Sequence, residues 1–499
     1  MTAAGTEPRL LRSSTLYFAG NVASRAVSFL MLPFYGRHLS PAEYGVLSLI
    51  ELSITVIAIV FGLQSFGQTL TRRYHDETSD AERNRVVSTA AIASLVGAVM
   101  VSALAVALAA PIARAVALPD HVDLLRAGFV AMVFSTVVEV VLVYQRMRDR
   151  ARFFLTYSMI ALAATVILNV WFIGGLSLGV WGFVTSKLIV GAVSSVFLVT
   201  HLLREVGTAW AGRHARAMAR FGAPLILSSI GYYAIHFSDR LFLAHVSKAD
   251  VGIYSMAYNF AFLLSVLVGD SFNKSWGVTF YRYAEQPGWQ ARFVHIGTWL
   301  FFVLATGAMG ISLMGRDTLA LLLPRDYLPP VLMMPVLLLG YFLREIGDFF
   351  RNILLIDMGS GLVGRIALAG AGVNLLLNWL LISGPIGIGI WGAALATTIT
   401  WALYCVVCWV AAHRAHHVVF PLWPLARVLA LGIVLILAHR AVGPGNPYVR
   451  LLVDAGWLAL FLAGGTVLYL GPEHRREGIA LGFSTLATGR RFWRLRGTG

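Results

Sequence analysis

The sequence predicts an all-α polytopic membrane protein with about fourteen transmembrane helices, and three observations support this. Apolar residues make up 58% of the 499 positions, whereas charged residues make up only 13%, compared with roughly 25% in an average soluble protein. Apolar runs long enough to cross a bilayer, about 20 residues each, recur along the whole chain. The cations are also distributed very unevenly between the segments that connect these runs.

The predicted helices follow from the apolar runs, taken in chain order. Each run has 18 or more predominantly apolar residues, which is the length that a spanning helix needs. The runs lie at 14–35, 44–68, 87–110, 122–144, 153–174, 178–203, 221–244, 251–270, 293–315, 330–350, 362–383, 387–412, 422–440 and 449–470.

The positions of Lys and Arg predict the orientation of these helices. With a cytoplasmic N-terminus, 25 of the 39 cations fall in inner segments and seven in outer ones. This asymmetry agrees with the positive-inside rule, so we expect both termini in the cytoplasm of a bacterial cell. Because the rule and the anionic lipid surface account for most of the net charge of +15, nucleic acid is excluded as a partner.

An internal repeat divides the chain into two halves. The pattern H-x-S-x-A-[DE]-x-G occurs at 38–45 and again at 245–252, and a G-x-W-G motif after Leu-Asn occurs at 168–182 and again at 377–392. The period contains six helices, so the halves are predicted to be parallel repeats. The predicted parts are a cytoplasmic tail (1–13), an N-lobe (14–205), a basic linker (206–220), a C-lobe (221–412), two accessory helices (422–470) and a basic cytoplasmic tail (471–499).

The segment 25–45, with the pattern R-x-x-x-F-L-x-x-P-x-x-x-R-x-L-S-P-x-x-Y-G, resembles the opening of bacterial polysaccharide biosynthesis membrane proteins. These are the Wzx-type lipid-linked oligosaccharide flippases of the MOP (multidrug/oligosaccharidyl-lipid/polysaccharide) exporter superfamily. The resemblance implies two six-helix bundles around a central cavity. It also implies movement of a polyprenyl-diphosphate-linked sugar from the inner to the outer leaflet of the cytoplasmic membrane by alternating access, for surface polysaccharide such as O-antigen, capsule or exopolysaccharide.

Cations at membrane depth suggest where such a substrate binds. Each ionisable group costs about 2.5 to 3.5 kcal/mol there on insertion scales, so each needs a wet cavity or a counter-ion. Arg25 and Lys187 lie deep in the first and sixth predicted helices, and Arg240 and Arg344 are further candidates. We predict that these four form a cationic cavity for the diphosphate. The alternative is that Arg25 pairs with Glu51 and only joins two helices.

Acidic residues at membrane depth are candidate counter-ions or sites for a coupling ion, either H⁺ or Na⁺. They are Glu51, Glu139, Asp239, Glu345 and Asp348. Arg344 and Asp348 are four residues apart, so they are expected to pair on one helix face. The sequence contains no G-x-x-x-x-G-K-[ST] phosphate loop, and we expect neither ATP hydrolysis nor a resident metal or cofactor.

Two other functions compete with the flippase. A membrane glycosyltransferase or polymerase of the same pathway would carry its sugar-binding residues in long outer loops, and the longest outer connection predicted here, at 316–329, is short. A drug or cation exporter of the same fold would have an acidic cavity rather than Arg25 and Lys187. The expected partners are therefore the lipid-linked sugar, the bilayer and the polysaccharide polymerase machinery.

Overall fold

The computed structural model describes residues 27, 29–327, 333–357, 359–441 and 447–471, and no β-strand occurs among them. Arg25, the N-terminal tail and most of the basic C-terminal tail lie outside these residues. The helices are α1 (29–38), α2 (Pro41–Val60), α3 (Phe66–Asp76), α4 (Asp80–Ala107), α5 (Ala109–Ala115), α6 (Val122–Met147), α7 (Ala151–Asn169), α8 (Val180–Val206), α9 (Gly212–Ala244), α10 (Lys248–Leu264), α11 (Asp270–Ala284), α12 (Trp289–Leu322), α13 (Met334–Asp357), α14 (Gly359–Asn378), α15 (Gly389–His416), α16 (Leu422–Ala441) and α17 (Pro447–Leu468).

The predicted membrane architecture agrees with these helices. Eleven helical segments within the described residues are long and apolar enough to cross a bilayer, and each coincides with one of the fourteen predicted runs. The predicted seventh and tenth runs fall in α9 and α13, which are long helices that carry several charges. The all-α, polytopic fold class is therefore confirmed.

The described residues divide into two compact units. The first unit contains those within Met1–Asn259, Leu323–Pro330 and Gly364–Thr400, and the second contains those within Phe260–Leu322, Val331–Val363 and Trp401–Gly499. The lobes predicted at 14–205 and 221–412 follow the repeat rather than these compact units, and they stay a prediction. The contacts described below each lie within one unit.

The internal repeat is visible in the helix starts of the first unit. Before α2, the Ser40 hydroxyl accepts a hydrogen bond from the Glu43 amide, and the Glu43 carboxylate accepts one from the Ser40 amide, which forms a capping box. Before α10, the Ser247 hydroxyl accepts the equivalent bond from the Asp250 amide at 3.3 Å. The repeated H-x-S-x-A-[DE]-x-G pattern is therefore a helix-start signal that is used twice.

The repeated G-x-W-G motif also has a structural explanation. In each half a π-helical turn follows the Leu-Asn pair, at Val170–Gly175 and at Trp379–Ser383. The first glycine of each motif, Gly179 or Gly389, has a φ of 55° or 56°, which disfavours any residue with a Cβ. The second glycine lies against the preceding turn, since a Cβ on Gly392 would be 2.3 Å from the carbonyl oxygen of Leu381.

Replacing Ser40 by alanine is expected to lower the stability of the protein by about 1 kcal/mol, because the Glu43 amide at the start of α2 loses the Ser40 hydroxyl as its acceptor. Thermal unfolding of the purified protein in detergent measures this loss. Ser158→Ala, at an internal position of α7, is the matched control. Equal melting temperatures for the two variants would contradict a role for the capping box.

Candidate functional site

Lys187 and Glu51 form an ion pair in the first unit. The Lys187 Nζ lies 3.2 Å from Glu51 Oε1, and the two side chains are 34% and 45% exposed. Lys187 is seven residues from the start of α8, or about 10 Å along its axis at 1.5 Å per residue, and Glu51 is near the middle of α2. In this structure Glu51 is therefore the counter-ion of Lys187. Arg25, the other cation predicted to pair with Glu51, lies outside the described residues.

Two tyrosines lie beside this pair and extend it towards the second repeat. The rings of Tyr35 and Tyr44 are 6.4 Å apart, and both hydroxyls lie close enough to Glu51 to interact with its charge. Asn169 donates a hydrogen bond to the Tyr35 hydroxyl at 2.9 Å. The Tyr44 hydroxyl accepts one from Asn259 at 3.1 Å.

Arg240 is buried, with 5% of its surface exposed. Its Nε donates to Ser255 Oγ at 3.0 Å and one Nη donates to the carbonyl oxygen of His236 at 3.2 Å. The guanidinium stacks on the ring of Tyr258, 4.3 Å from its centroid. A diphosphate would reach Arg240 only after these neighbours move, so Lys187 is the more accessible of the two cations.

Asp239 is fully buried, and the charge of the neighbouring Arg240 acts on it. Its carboxylate accepts hydrogen bonds from the Tyr254 hydroxyl, from the Thr397 hydroxyl at 3.3 Å, and from the backbone amide of Arg240 at 3.0 Å. These three hydrogen-bond donors come from α9, α10 and α15. Asp239 is thus a carboxylate at membrane depth whose hydrogen-bonding neighbours are mostly uncharged.

A second buried polar group continues from the neighbouring residue, Ser238. Its hydroxyl donates to Asn374 Oδ1 at 2.7 Å and accepts from Asn378 Nδ2 at 2.9 Å. Asn374 Nδ2 in turn donates to the Thr400 hydroxyl at 3.2 Å. The Oδ1 of Asn378, in a residue that is fully buried, has no hydrogen-bond partner among the described residues.

Arg344 belongs to a charged network in the second unit. Its Nη1 lies 3.2 Å from Glu345 Oε1 and donates to Ser265 Oγ at 3.0 Å. Its Nη2 lies 3.6 Å from Asp348 Oδ2. The predicted pairing of Arg344 with Asp348 is present. Asp348 also accepts a hydrogen bond from the Tyr404 hydroxyl and pairs with Arg351, both at 2.8 Å. The charges of Arg344, Glu345 and Asp348 are therefore compensated locally.

Glu139 occupies a different environment from Asp348, although the two acids lie at matching positions of the repeat. Glu139 is 57% exposed and pairs with Arg146 at 3.0 Å. The pair lines a groove of about 450 Å³ together with Gln64, Gln68 and Thr71. Since Asp348 is buried against Arg344 and Arg351, the matching acids do not share an environment.

The structure also brings together residues that the sequence did not single out. Neutral partners such as Asn374, Asn378 and Thr397 carry no charge, and only the fold places them near Asp239. A separate buried cluster joins Asp317, His439 and Asp454 in the second unit. The signal that was available for this cluster is the presence of His439 and Asp454 in otherwise apolar runs, where each polar group carries a desolvation cost.

Comparisons with known proteins agree with this architecture. Residues 35–288 match the model of a family described as "Polysaccharide biosynthesis protein". The Lsg locus putative protein 1 of Haemophilus influenzae is 24% identical over 289 residues, which is 56% of this chain and 67% of that protein.

Two solved structures are similar in fold. The inward closed conformation of the lipid II flippase MurJ has a TM-score of 0.73 at 13% identity, covering 92% of this chain and 99% of that one. The inward-facing conformation of a multidrug resistance MATE family transporter of the MOP superfamily has a TM-score of 0.59 at 14% identity, covering 78% and 94%. At these identities the likeness shows the fold alone.

Proposed function

Because the chain belongs to the polysaccharide biosynthesis protein family, we propose that it is a flippase for a polyprenyl-diphosphate-linked oligosaccharide. It moves this lipid from the inner to the outer leaflet of the bacterial cytoplasmic membrane by alternating access of two lobes around a central cavity. Both termini then lie in the cytoplasm, and the product feeds the polymerase machinery of surface polysaccharide synthesis. The likeness in fold to a lipid II flippase supports this proposal.

The observation that carries the proposal is the half-exposed Lys187–Glu51 pair. A charged pair at membrane depth that contacted lipid tails would lose its hydration at a cost of several kcal/mol. A pair that faces a water-filled cavity keeps it. We infer that Lys187 and Glu51 line such a cavity, which is where a large polar head group has to pass.

Lys187 is suited to an exchange of anionic partners. Without substrate, Glu51 neutralises it, so the pair carries no net charge. A diphosphate brings more negative charge than one carboxylate and offers several acceptor oxygens, so it competes with Glu51 for the ammonium group through charge-assisted hydrogen bonds. Arg25, predicted to lie at similar depth in the first helix, is the proposed second cation of this site.

Lys187→Gln is expected to lower transport at least tenfold, because the diphosphate loses a charge-assisted partner. Glu51→Gln retains the cation and is expected to keep most of the transport. The measurement is translocation of a fluorescent polyprenyl-diphosphate-linked disaccharide in proteoliposomes with equal protein content. Lys248→Gln is the matched control, since this lysine pairs with Asp120 near the start of α10.

The double variant Lys187→Gln/Glu51→Gln separates the two interpretations of the pair. It removes both charges of the pair and leaves neither partner charged alone, so a purely structural pair predicts recovery of transport. The proposed substrate role predicts that transport stays low although the protein folds. Full transport by the double variant would contradict the proposal.

For the coupling ion, we propose the region around Asp239, with H⁺ or Na⁺ as the ion. Of the candidate acids, Glu345 and Asp348 are neutralised by arginines and Glu139 is exposed beside Arg146. Asp239 is also beside an arginine, Arg240, but the Arg240 guanidinium is held by Ser255, the His236 carbonyl and the Tyr258 ring. The hydrogen-bonding neighbours of the Asp239 carboxylate include the hydroxyls of Tyr254 and Thr397. Carboxylate, hydroxyl and amide oxygens are the ligands that a hard monovalent cation accepts, and a buried carboxylate also accepts a proton.

A further inference from the structure

A buried cluster of ionisable residues lies in the second unit and includes none of the residues proposed for substrate and coupling ion. Asp317 is on α12, His439 is on α16, and Arg450 and Asp454 are on α17. All four are buried, and Asp454 is completely inaccessible. Asp317 and His439 lie near the C-terminal ends of α12 and α16, and Arg450 and Asp454 lie near the N-terminal end of α17. Each is at most seven residues from that helix terminus.

The geometry of the cluster places nitrogen and oxygen ligand atoms together. His439 Nε2 lies 2.6 Å from Asp454 Oδ1. One ligand atom each from Asp317, His439 and Asp454 lies within 4.8 Å of the others. Arg450 Nε donates to Asp317 Oδ2 at 3.1 Å, which orients that carboxylate from the side.

The charges and hydrogen bonds of the cluster are incomplete. Two carboxylates and one guanidinium leave one negative charge in a buried, low-dielectric region, which is costly without a cation. Asp454 Oδ2 also has no hydrogen-bond partner among the described residues. A proton on His439 would balance the charge but would leave this oxygen without a partner. A proton shared between the neighbouring Asp454 and Asp317 carboxyl groups would meet both needs. A divalent metal ion bound by the three side chains also meets both, provided that a hydroxide or another anion completes its coordination and brings the cluster back to neutrality.

We propose that Asp317, His439 and Asp454 bind a divalent transition-metal ion of the Zn²⁺ class. One imidazole nitrogen with two carboxylate oxygens is a donor set that zinc accepts, with ligand distances of about 2.0 to 2.2 Å. Arg450 then holds the Asp317 carboxylate as an outer-shell partner. The ion joins α12 to the hairpin of α16 and α17, so the two accessory helices are fixed to the rest of the second unit by a metal as well as by apolar packing.

Metal content and thermal stability of the full-length protein in detergent test this assignment. The protein is stripped with a chelator, dialysed, and titrated with ZnCl₂ at pH 7.5. The expected result is about one equivalent of bound zinc by elemental analysis and a higher melting temperature. His439→Gln and Asp454→Asn are expected to lose both effects, whereas His75→Gln, at an exposed histidine on α3, retains them.

A pH arm separates the metal from a proton. Because a protonated imidazole cannot bind a metal, zinc stabilisation is expected to disappear at pH 5.5. If the wild-type protein binds no stoichiometric zinc and is stabilised by acid alone, a proton fills the site and the proposal is wrong. The same conclusion follows if His439→Gln responds to zinc as the wild type does. Zinc content of the wild-type protein decides the question even if a variant does not fold.

Discussion

Replacing Gly45 by alanine is expected to reduce transport at least tenfold, because this position is where two helices meet backbone to backbone. A Cβ on Gly45 would lie 2.0 Å from the carbonyl oxygen of Lys248, in the first turn of α10. A Cβ on Gly252 would lie 1.9 Å from the carbonyl oxygen of Pro41, in the first turn of α2. No flexible side chain separates the two backbones, so the helices themselves must move apart.

The two contacts are related by the repeat. Gly45 and Gly252 occupy equivalent positions in the two halves, and so do Pro41 and Lys248, so the two contacts are equivalent as well. The crossing of α2 and α10 is thus a pseudo-symmetric contact of equivalent helices from the two halves. A transporter that alternates between two states has to form and release contacts of this kind between its repeats. An alanine would hold the helix starts apart and favour the state in which they are separated.

Transport in proteoliposomes, normalised to folded protein, measures this effect. Gly372→Ala on α14 is the matched control, because a Cβ there meets nothing within 4 Å. Gly45→Ala and Gly252→Ala are expected to combine non-additively, since both act on one helix crossing. Transport by Gly45→Ala at the level of the Gly372→Ala variant would show that the crossing tolerates separation.

Sequence periodicity and composition predicted the helices well, because spanning helices must be apolar over a fixed length. The repeat was also visible, since turn and crossing positions require particular small residues such as Gly45, Gly182 and their counterparts. These requirements are local, or they recur at a constant spacing. They can therefore be recognised in a single sequence.

The partners of the charged residues were much harder to predict. Lys187 and Glu51 are 136 positions apart, and a helical pattern does not state which face of α8 meets which face of α2. Only the pair with a fixed spacing on one helix, Arg344 with Asp348, followed from the sequence. Asp454 and His439 went unnoticed because the accessory helices have no counterpart in the repeat to highlight them.

Asp239→Asn is expected to abolish the dependence of transport on an ion gradient. Asparagine has nearly the same shape as aspartate, so the hydrogen bonds from Tyr254 and Thr397 can persist while the negative charge is lost. Without that charge the buried position has no favourable interaction with Na⁺ and no carboxylate to protonate. The folded protein is expected to remain, and transport is expected to fall at least tenfold.

Imposing the gradients of pH, Na⁺ and voltage separately on proteoliposomes identifies which ion is lost. Glu139→Gln is the matched control, because this exposed acid is the alternative candidate that does not contact a buried network. If Na⁺ is the coupling ion, Asn378→Ala is expected to raise the Na⁺ concentration needed for half-maximal transport. The reason is that Asn378 Oδ1, which has no hydrogen-bond partner among the described residues, lies in the neighbouring polar group. If Asn378→Ala has no effect while Asp239→Asn abolishes the pH response, the ion is a proton. An Asp239→Asn protein that responds to every gradient as the wild type does would place the coupling site elsewhere.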